Sequence, residues 1–295
     1  EVLTSRDLDA LADSFISTSE GATRYSQFLR FKADSLTSGK VVYAENENDE
    51  VDDYLYFKAN TDIFEYEVQF EQGFVSEVNN NHLEDLEGKN LEIFGRKYTV
   101  IAATKSGDTV ELRLLSGSLT DTIEEGESKT YTVNGKAYRI ELLAFDDQQQ
   151  RARFKINDRE FDTMKKGDTA LVDEILFGLS ETFRNEAGDG PDLARFSLGA
   201  EYIILSDNAA DNTFSQGVKI NGRSISPATV KIKGQSIGGS YKISSIKYRL
   251  KADAVRGGDI YVPAGHSLRE YLDNELGIIG DWDIVYKGLG RKSKG

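Results

Sequence analysis

The sequence holds no cysteine, one methionine, one tryptophan, two histidines and three prolines in 295 residues. Without cysteine there is no disulfide framework, thiolate metal site or thiol nucleophile. His82 and His266 are too few for a histidine-rich zinc site, and a Ser-His-Asp triad would have to use one of them. His82 follows three asparagines in a turn-like stretch and His266 precedes a helix start, so both read as solvated residues rather than bases. No apolar run approaches the ~18 residues of a membrane span, so direct membrane insertion is not expected. Basic excess is lacking too. Lys and Arg number 36 against 50 Asp and Glu, a net charge of −14. Nucleic acid needs a basic face and anionic lipid attracts one, so neither is an expected partner, the short basic tail 291–295 notwithstanding. Acidity of this degree favours solubility and suits exposure to salt or divalent cations. Residue 1 is Glu rather than Met, which suits a mature chain exported to the cell surface.

What is there reads as β-structure. Hydrophobic residues make up 39% of the chain, with 15 Phe and 14 Tyr, a composition suited to half-buried pleated surfaces. Phe64, Tyr66, Val68 and Phe70 alternate with Glu65, Glu67, Gln69 and Glu71. Val110, Leu112 and Leu114 alternate with Glu111 and Arg113, and Ala152, Phe154 and Ile156 with Arg151, Arg153 and Lys155. A period of two buries one face of each strand and wets the other. Asn134-Gly135 and Asn221-Gly222 are two-residue hairpin turns, with Asn157-Asp158 and Ser106-Gly107-Asp108 as weaker signals. The expected fold is mainly β: two or more sandwich-like domains of antiparallel hairpins. Short helices are expected over 4–16, with Leu8, Leu11, Phe15 and Ile16 on one stripe, and over 267–275, opened by a Ser267–Glu270 capping box. A strand is expected at 282–286.

A pattern recurs within the chain. In LEIFGRKYTV (91–100) and YTVNGKAYRI (131–140), Gly95 aligns with Gly135, Tyr98 with Tyr138 and Val100 with Ile140. Each block is a strand, a tight Gly turn and a strand. The polar stretch 185–192, NEAGDGPD, marks a boundary. The expected organisation is an N-terminal segment 1–20, a β-domain 21–184 containing the hairpin repeat 88–156, a second β-domain 185–290 and the tail 291–295.

Five segments in order carry a resemblance: IFEYEVQFEQG (63–73), LEDLEGKNLEIFGRKYTVIAA (83–103), LRLLSGSLTDTIEEGES (112–128), TYTVNGKAYRIELLAFDD (130–147) and RFKINDREFDTMKKGDTALVDEILFGLSETF (153–183). Together they resemble the β-domain of archaeal surface-layer proteins, a group related to secreted surface filaments. The resemblance implies a structural, non-enzymatic subunit that assembles with copies of itself, with calcium as an optional ligand and surface glycans as further partners. The chain departs from that pattern in lacking an anchor segment and any N-x-Ser/Thr sequon, which shifts weight from a coat toward a filament.

Three acidic loops offer hard oxygens for Ca²⁺: Asp49, Asp52 and Asp53; Asp189 and Asp192; Asp207 and Asp211. None has EF-hand spacing. No other cofactor is expected. Asp281-Trp282-Asp283 is the most sugar-like constellation, since carboxylate pairs serve glycosidases and Trp faces stack on sugars. On a strand, however, both carboxylates would face away from the indole. A carbohydrate-binding adhesin or glycoside hydrolase is therefore one alternative function, and a viral coat protein another. For assembly, the candidate residues are Val2, Leu3, Leu8, Leu11, Phe15 and Ile16, an apolar set in a segment too short for a stable isolated helix. Docked on a neighbour it would link subunits head to tail; docked on its own domain it would not.

Overall fold

The computed structural model describes residues 2–18, 21–31, 39–46, 48–116, 119–133, 135–146, 151–161, 163–173, 175–184, 191–199, 201–208 and 212–290. The first ten strands are β1 (Val2–Leu3), β2 (Ser14–Thr18), β3 (Gly21–Arg30), β4 (Lys40–Glu45), β5 (Val51–Phe57), β6 (Asp62–Asn79), β7 (His82–Leu83), β8 (Asn90–Ile93), β9 (Arg96–Ser106) and β10 (Thr109–Ser116). Next come β11 (Leu119–Glu124), β12 (Ser128–Val133), β13 (Lys136–Asp146), β14 (Arg151–Ile156), β15 (Arg159–Glu160), β16 (Met164–Lys165), β17 (Thr169–Val172), β18 (Ile175–Phe183) and β19 (Leu193–Gly199). The last are β20 (Glu201–Asn208), β21 (Val218–Ile220), β22 (Arg223–Ser224), β23 (Ala228–Ile237), β24 (Ser240–Lys251) and β25 (Ile260–Pro263). The fold is mainly β, built from several antiparallel sheets.

Strand pairing divides the chain into a host and an insert. In the host, β6 pairs with β3 along its first part, with β24 along nearly its whole length and with β7 at its end, and the path continues through β9, β10, β20, β21 and β22. Its core draws on both halves of that path: Tyr66, Val68, Leu29 and Tyr248 from one, Tyr98, Val100, Leu112 and Ile203 from the other. The insert, β11 to β19, leaves the host after β10 and returns at β20. It has its own two sheets and its own core, in which Phe177 stacks on Phe196 with centroids 5.2 Å apart and meets Phe154 edge to face at 4.7 Å. The two cores meet at a small apolar joint of Ile101, Leu115, Leu176 and Tyr202. A Cβ on Gly178 would stand 3.2 Å from Ile101 Cδ1 and 3.4 Å from Leu115 Cδ2, so the glycine lets the two bodies pack closely there. Beside the joint, the buried carboxylate of Glu87 in the host pairs with Lys166 of the insert at 2.6 Å and with His82 at 2.8 Å.

Several expectations change. The chain does not divide into sequential domains at 185–192, because β10 pairs with β20 and β6 with β24, joining residues from both sides in one sheet. Residues 185–190 and the tail 291–295 lie outside the described residues. Residues 2–18 are not a separate segment: β1 and β2 both pair with β3. Among the described residues there is no α-helix. The stretch 4–16 holds a turn, a 3-10 turn at Asp9–Leu11 and the start of β2, and 267–275 holds the 3-10 turn Leu268–Tyr271. In β2, which pairs with β3, adjacent Phe15 and Ile16 point to opposite faces, one exposed and one buried, as on a strand. The Glu270 half of the capping box does form, with its carboxylate accepting the Ser267 N–H at 3.0 Å. Trp282 to Tyr286 is no strand; it is tied in by a single bridge between Val285 and Ser267.

The alternation in β6 is present, but its polar face is not wet. Glu65 and Glu67 are buried with Lys247, Arg249 and Arg30. The Arg249 guanidinium lies over the Phe214 ring at 4.0 Å. Burial pushes the Glu65 carboxyl up, but the bonds from Arg249 and Lys247 outweigh it and hold it below the usual range.

Candidate functional site

The β8–β9 hairpin closes through Phe94 and Gly95, both at positive φ, 51° and 70°. Glycine takes that conformation freely; a bulky aromatic does so rarely and only where packing enforces it. Here the enforcement is visible. The Phe94 ring is stacked between Tyr66, 3.9 Å away, and Trp282, 4.8 Å away. The Phe94 N–H donates to Gln27 Oε1 at 3.2 Å, and the same oxygen accepts the Tyr66 hydroxyl. The hairpin tip rests on the N-terminal turn, where a Cβ on Gly95 would come 3.2 Å from Ala10 Cα.

Beside this stack opens a cleft of about 800 Å³, lined by Asn90, Phe94, Arg96, Lys97, Asp281 and Trp282, with Thr120 of the insert on the other side. Arg96 bonds Glu201 at 2.7 Å and also pairs with Asp281. Burial works against the Arg96 charge, and the two carboxylates more than offset it, so its pKa is raised. The Tyr98 hydroxyl donates to Glu201 at 2.7 Å; burial and that carboxylate push the phenol far above its ordinary value. The Trp282 indole N–H donates to the Ile279 carbonyl at 2.8 Å, which fixes the ring.

Comparison with family models, curated proteins and solved structures finds no match.

The two carboxylates of the Asp-Trp-Asp stretch are held by different partners. Asp281 is exposed on Arg96, while Asp283 accepts the Ile284 and Arg269 N–H groups at 2.7 and 3.2 Å. His82 and His266 bond Glu87 and Glu270.

Two of the acidic-loop carboxylates, Asp53 and Asp207, hold structural hydrogen bonds. Asp49 sits at positive φ in the β4–β5 turn. Asp52 and Asp53 are consecutive on β5, so their side chains diverge. Asp53 accepts the Tyr286 hydroxyl at 2.6 Å, the bond that does most to hold its carboxyl below the ordinary value. Buried Asp207 accepts the Ser215 hydroxyl and the Ile232 N–H, pinning β23 to β20. The Asp192 carbonyl accepts the Glu125 N–H. Asp189 and Asp211 lie outside the described residues, and among the described residues no three metal-ligating side chains converge.

Of the apolar N-terminal set, Leu11 and Ile16 lie in the host core and Leu3 packs against it, whereas Val2, Leu8 and Phe15 are exposed. A feature that sequence reasoning missed is β4. It is the outermost strand of the sheet β25-β5-β4, reads KVVYAE, and exposes Val41 and Tyr43, the latter by 77%. The three uncharged β-formers in a row, Val41, Val42 and Tyr43, were its signal.

Proposed function

We propose that this chain is a structural, self-assembling subunit of an extracellular layer or filament, secreted rather than membrane-inserted. Its working parts are the two bodies, each read as a sandwich-like pair of sheets. The observation that carries this is β4. Isolated folded proteins blunt their sheet edges with proline, inward charge or a covering segment. The outer edge of β4 has no strand partner among the described residues, no proline, and charge only at its two ends. Such an edge accepts a strand from a second copy through main-chain hydrogen bonds. Val41, Tyr43 and, at the start of β5, Val51 would then be covered, along with the exposed N-terminal residues Phe15 and Leu8 where they fall within the contact. No helix among the described residues is long and apolar enough to cross a membrane, consistent with a secreted subunit.

Negative-stain microscopy of concentrated protein, with and without millimolar-scale Ca²⁺, tests this. Regular sheets or threads are expected, lost in Val41→Lys and Tyr43→Lys. Closed shells would favour the viral-coat reading. A chain that stays monomeric in every salt and calcium condition would overturn assembly, and polymers that persist in both variants would overturn the role of β4.

A further inference from the structure

We propose that the Trp282 cleft is a binding site for a neutral oligosaccharide, independent of how the chain assembles. The argument begins with size and preorganisation. Its volume of about 800 Å³ falls in the roughly 300–1,000 Å³ range of small-molecule sites. Trp282 ends a three-ring stack with Phe94 and Tyr66, and its N–H is already bonded to Ile279. An indole held on two sides loses little freedom when a ligand lands on it. Aromatic faces are electron-rich, and the C–H face of a pyranose ring carries the complementary partial positive charge.

The polar lining then narrows the ligand class. Arg96 is matched by Glu201 and Asp281, so the cleft offers hydrogen-bonding groups more than net charge. The Asn90 amide nitrogen donates, its oxygen already accepting the Thr99 hydroxyl at 3.0 Å, Lys97 donates, Asp281 accepts, and the Thr120 hydroxyl, bonded to the Ser197 hydroxyl at 3.1 Å, keeps one further hydrogen-bonding position. That mixture suits sugar hydroxyls, which also do both. A polyanion would need uncompensated cations, and the chain carries a net charge of −14. An extended peptide added along β8 is blocked, because side chains already occupy the edge donors. The Glu92 N–H is taken by the Tyr25 hydroxyl at 2.8 Å and the Phe94 N–H by Gln27. The left-handed Phe94 supports the same reading: a residue that costs backbone strain is kept where its ring fixes the platform.

Trp282 is the chain's one tryptophan, so intrinsic tryptophan emission reports on this cleft alone. The probes are cellohexaose, mannohexaose, maltohexaose and chitohexaose, titrated to about 5 mM, the weak end of specific affinities, with oligogalacturonate as the anionic control. A saturable emission change with at least one neutral probe is expected, and calorimetry should give the same affinity. Asn90→Ala and Lys97→Ala alter exposed side chains, and each should weaken binding about fivefold through one lost hydrogen bond. Silence with all four neutral probes would overturn the proposal, as would a response to oligogalacturonate alone. Saturable binding unchanged in both variants would overturn the placement in this cleft.

Discussion

The β8–β9 and β12–β13 hairpins start from the same sequence pattern and end in different surroundings. Both close through two-residue loops, Ile93 opposite Arg96 and Val133 opposite Lys136, with Gly95 and Gly135 at positive φ. Tyr98 and Tyr138 are buried at matching positions, as are Val100 and Ile140. The difference lies at the polar tip. In the host, Tyr98 reaches Glu201 on a strand more than a hundred residues away. In the insert, the buried Tyr138 hydroxyl has no partner among the described residues. Two more host phenols are satisfied, Tyr66 on Gln27 and Tyr248 on the Gly277 carbonyl at 2.6 Å, although the buried Tyr241 hydroxyl has no partner among the described residues. The host ties three core phenols to distant partners, while the insert centres on three phenylalanines and keeps one phenol bond at its margin, Tyr131 on Asp121 at 2.7 Å. A hairpin pattern thus sets local geometry and leaves open whether the buried phenol is satisfied, which depends on what the rest of the chain brings to it.

The largest test breaks the insert's aromatic centre. Phe177→Ala should cost about 3–5 kcal/mol in the insert while leaving the host's unfolding nearly unmoved, seen as a shift in one of two calorimetric transitions. If both fall together, the two cores are one cooperative unit. Next comes the host's buried charge row. Arg249→Met leaves Glu65 with Lys247 and the more distant Arg30 at 3.8 Å, and should cost about 3 kcal/mol at neutral pH, measured by urea unfolding. The native pKa of Glu65 lies below its unfolded value of about 4.3, so its contribution is complete above that value and is lost as pH falls through the native one. Wild-type stability should therefore drop on acidification, and Glu65→Gln should flatten that limb. The smallest effect is the sharpest comparison. Tyr248→Phe removes one partner of a buried bond and should cost about 1–2 kcal/mol, whereas Tyr138→Phe should be neutral to within about 0.5 kcal/mol or slightly stabilising.

Much of the β-structure could be read locally. Buried Val110, Leu112 and Leu114, and Ala152, Phe154 and Ile156 between exposed Arg151 and Arg153, follow the alternation directly. Asn221 and Gly222 take the positive φ their turn requires. What could not be read depends on distant partners. Glu65 and Glu67 look wet until Lys247, Arg249 and Arg30 arrive across the sheet. The expected cut at 185–192 follows a real polar stretch, but nothing local says that β10 pairs with β20. The N-terminal stripe has a helical spacing, and pairing with β3 overrode it. At the cleft, the lone tryptophan was visible, but Arg96 and Glu201 are distant in sequence and gave no shared signal.

The insert leaves and re-enters the host at one point, since Ser116 and Glu201 are paired neighbours. On the ribosome this fixes an order of events. Strand β10 emerges with one side open and must wait for β20, while every strand the insert needs is made in the interval. The insert therefore completes first, and by folding it draws the two ends of its own long loop together. The entropy of closing that loop is then charged to the insert's folding rather than to the β10–β20 pairing. A nascent chain arrested just after β19 should already protect the insert from protease while β10 stays cleavable.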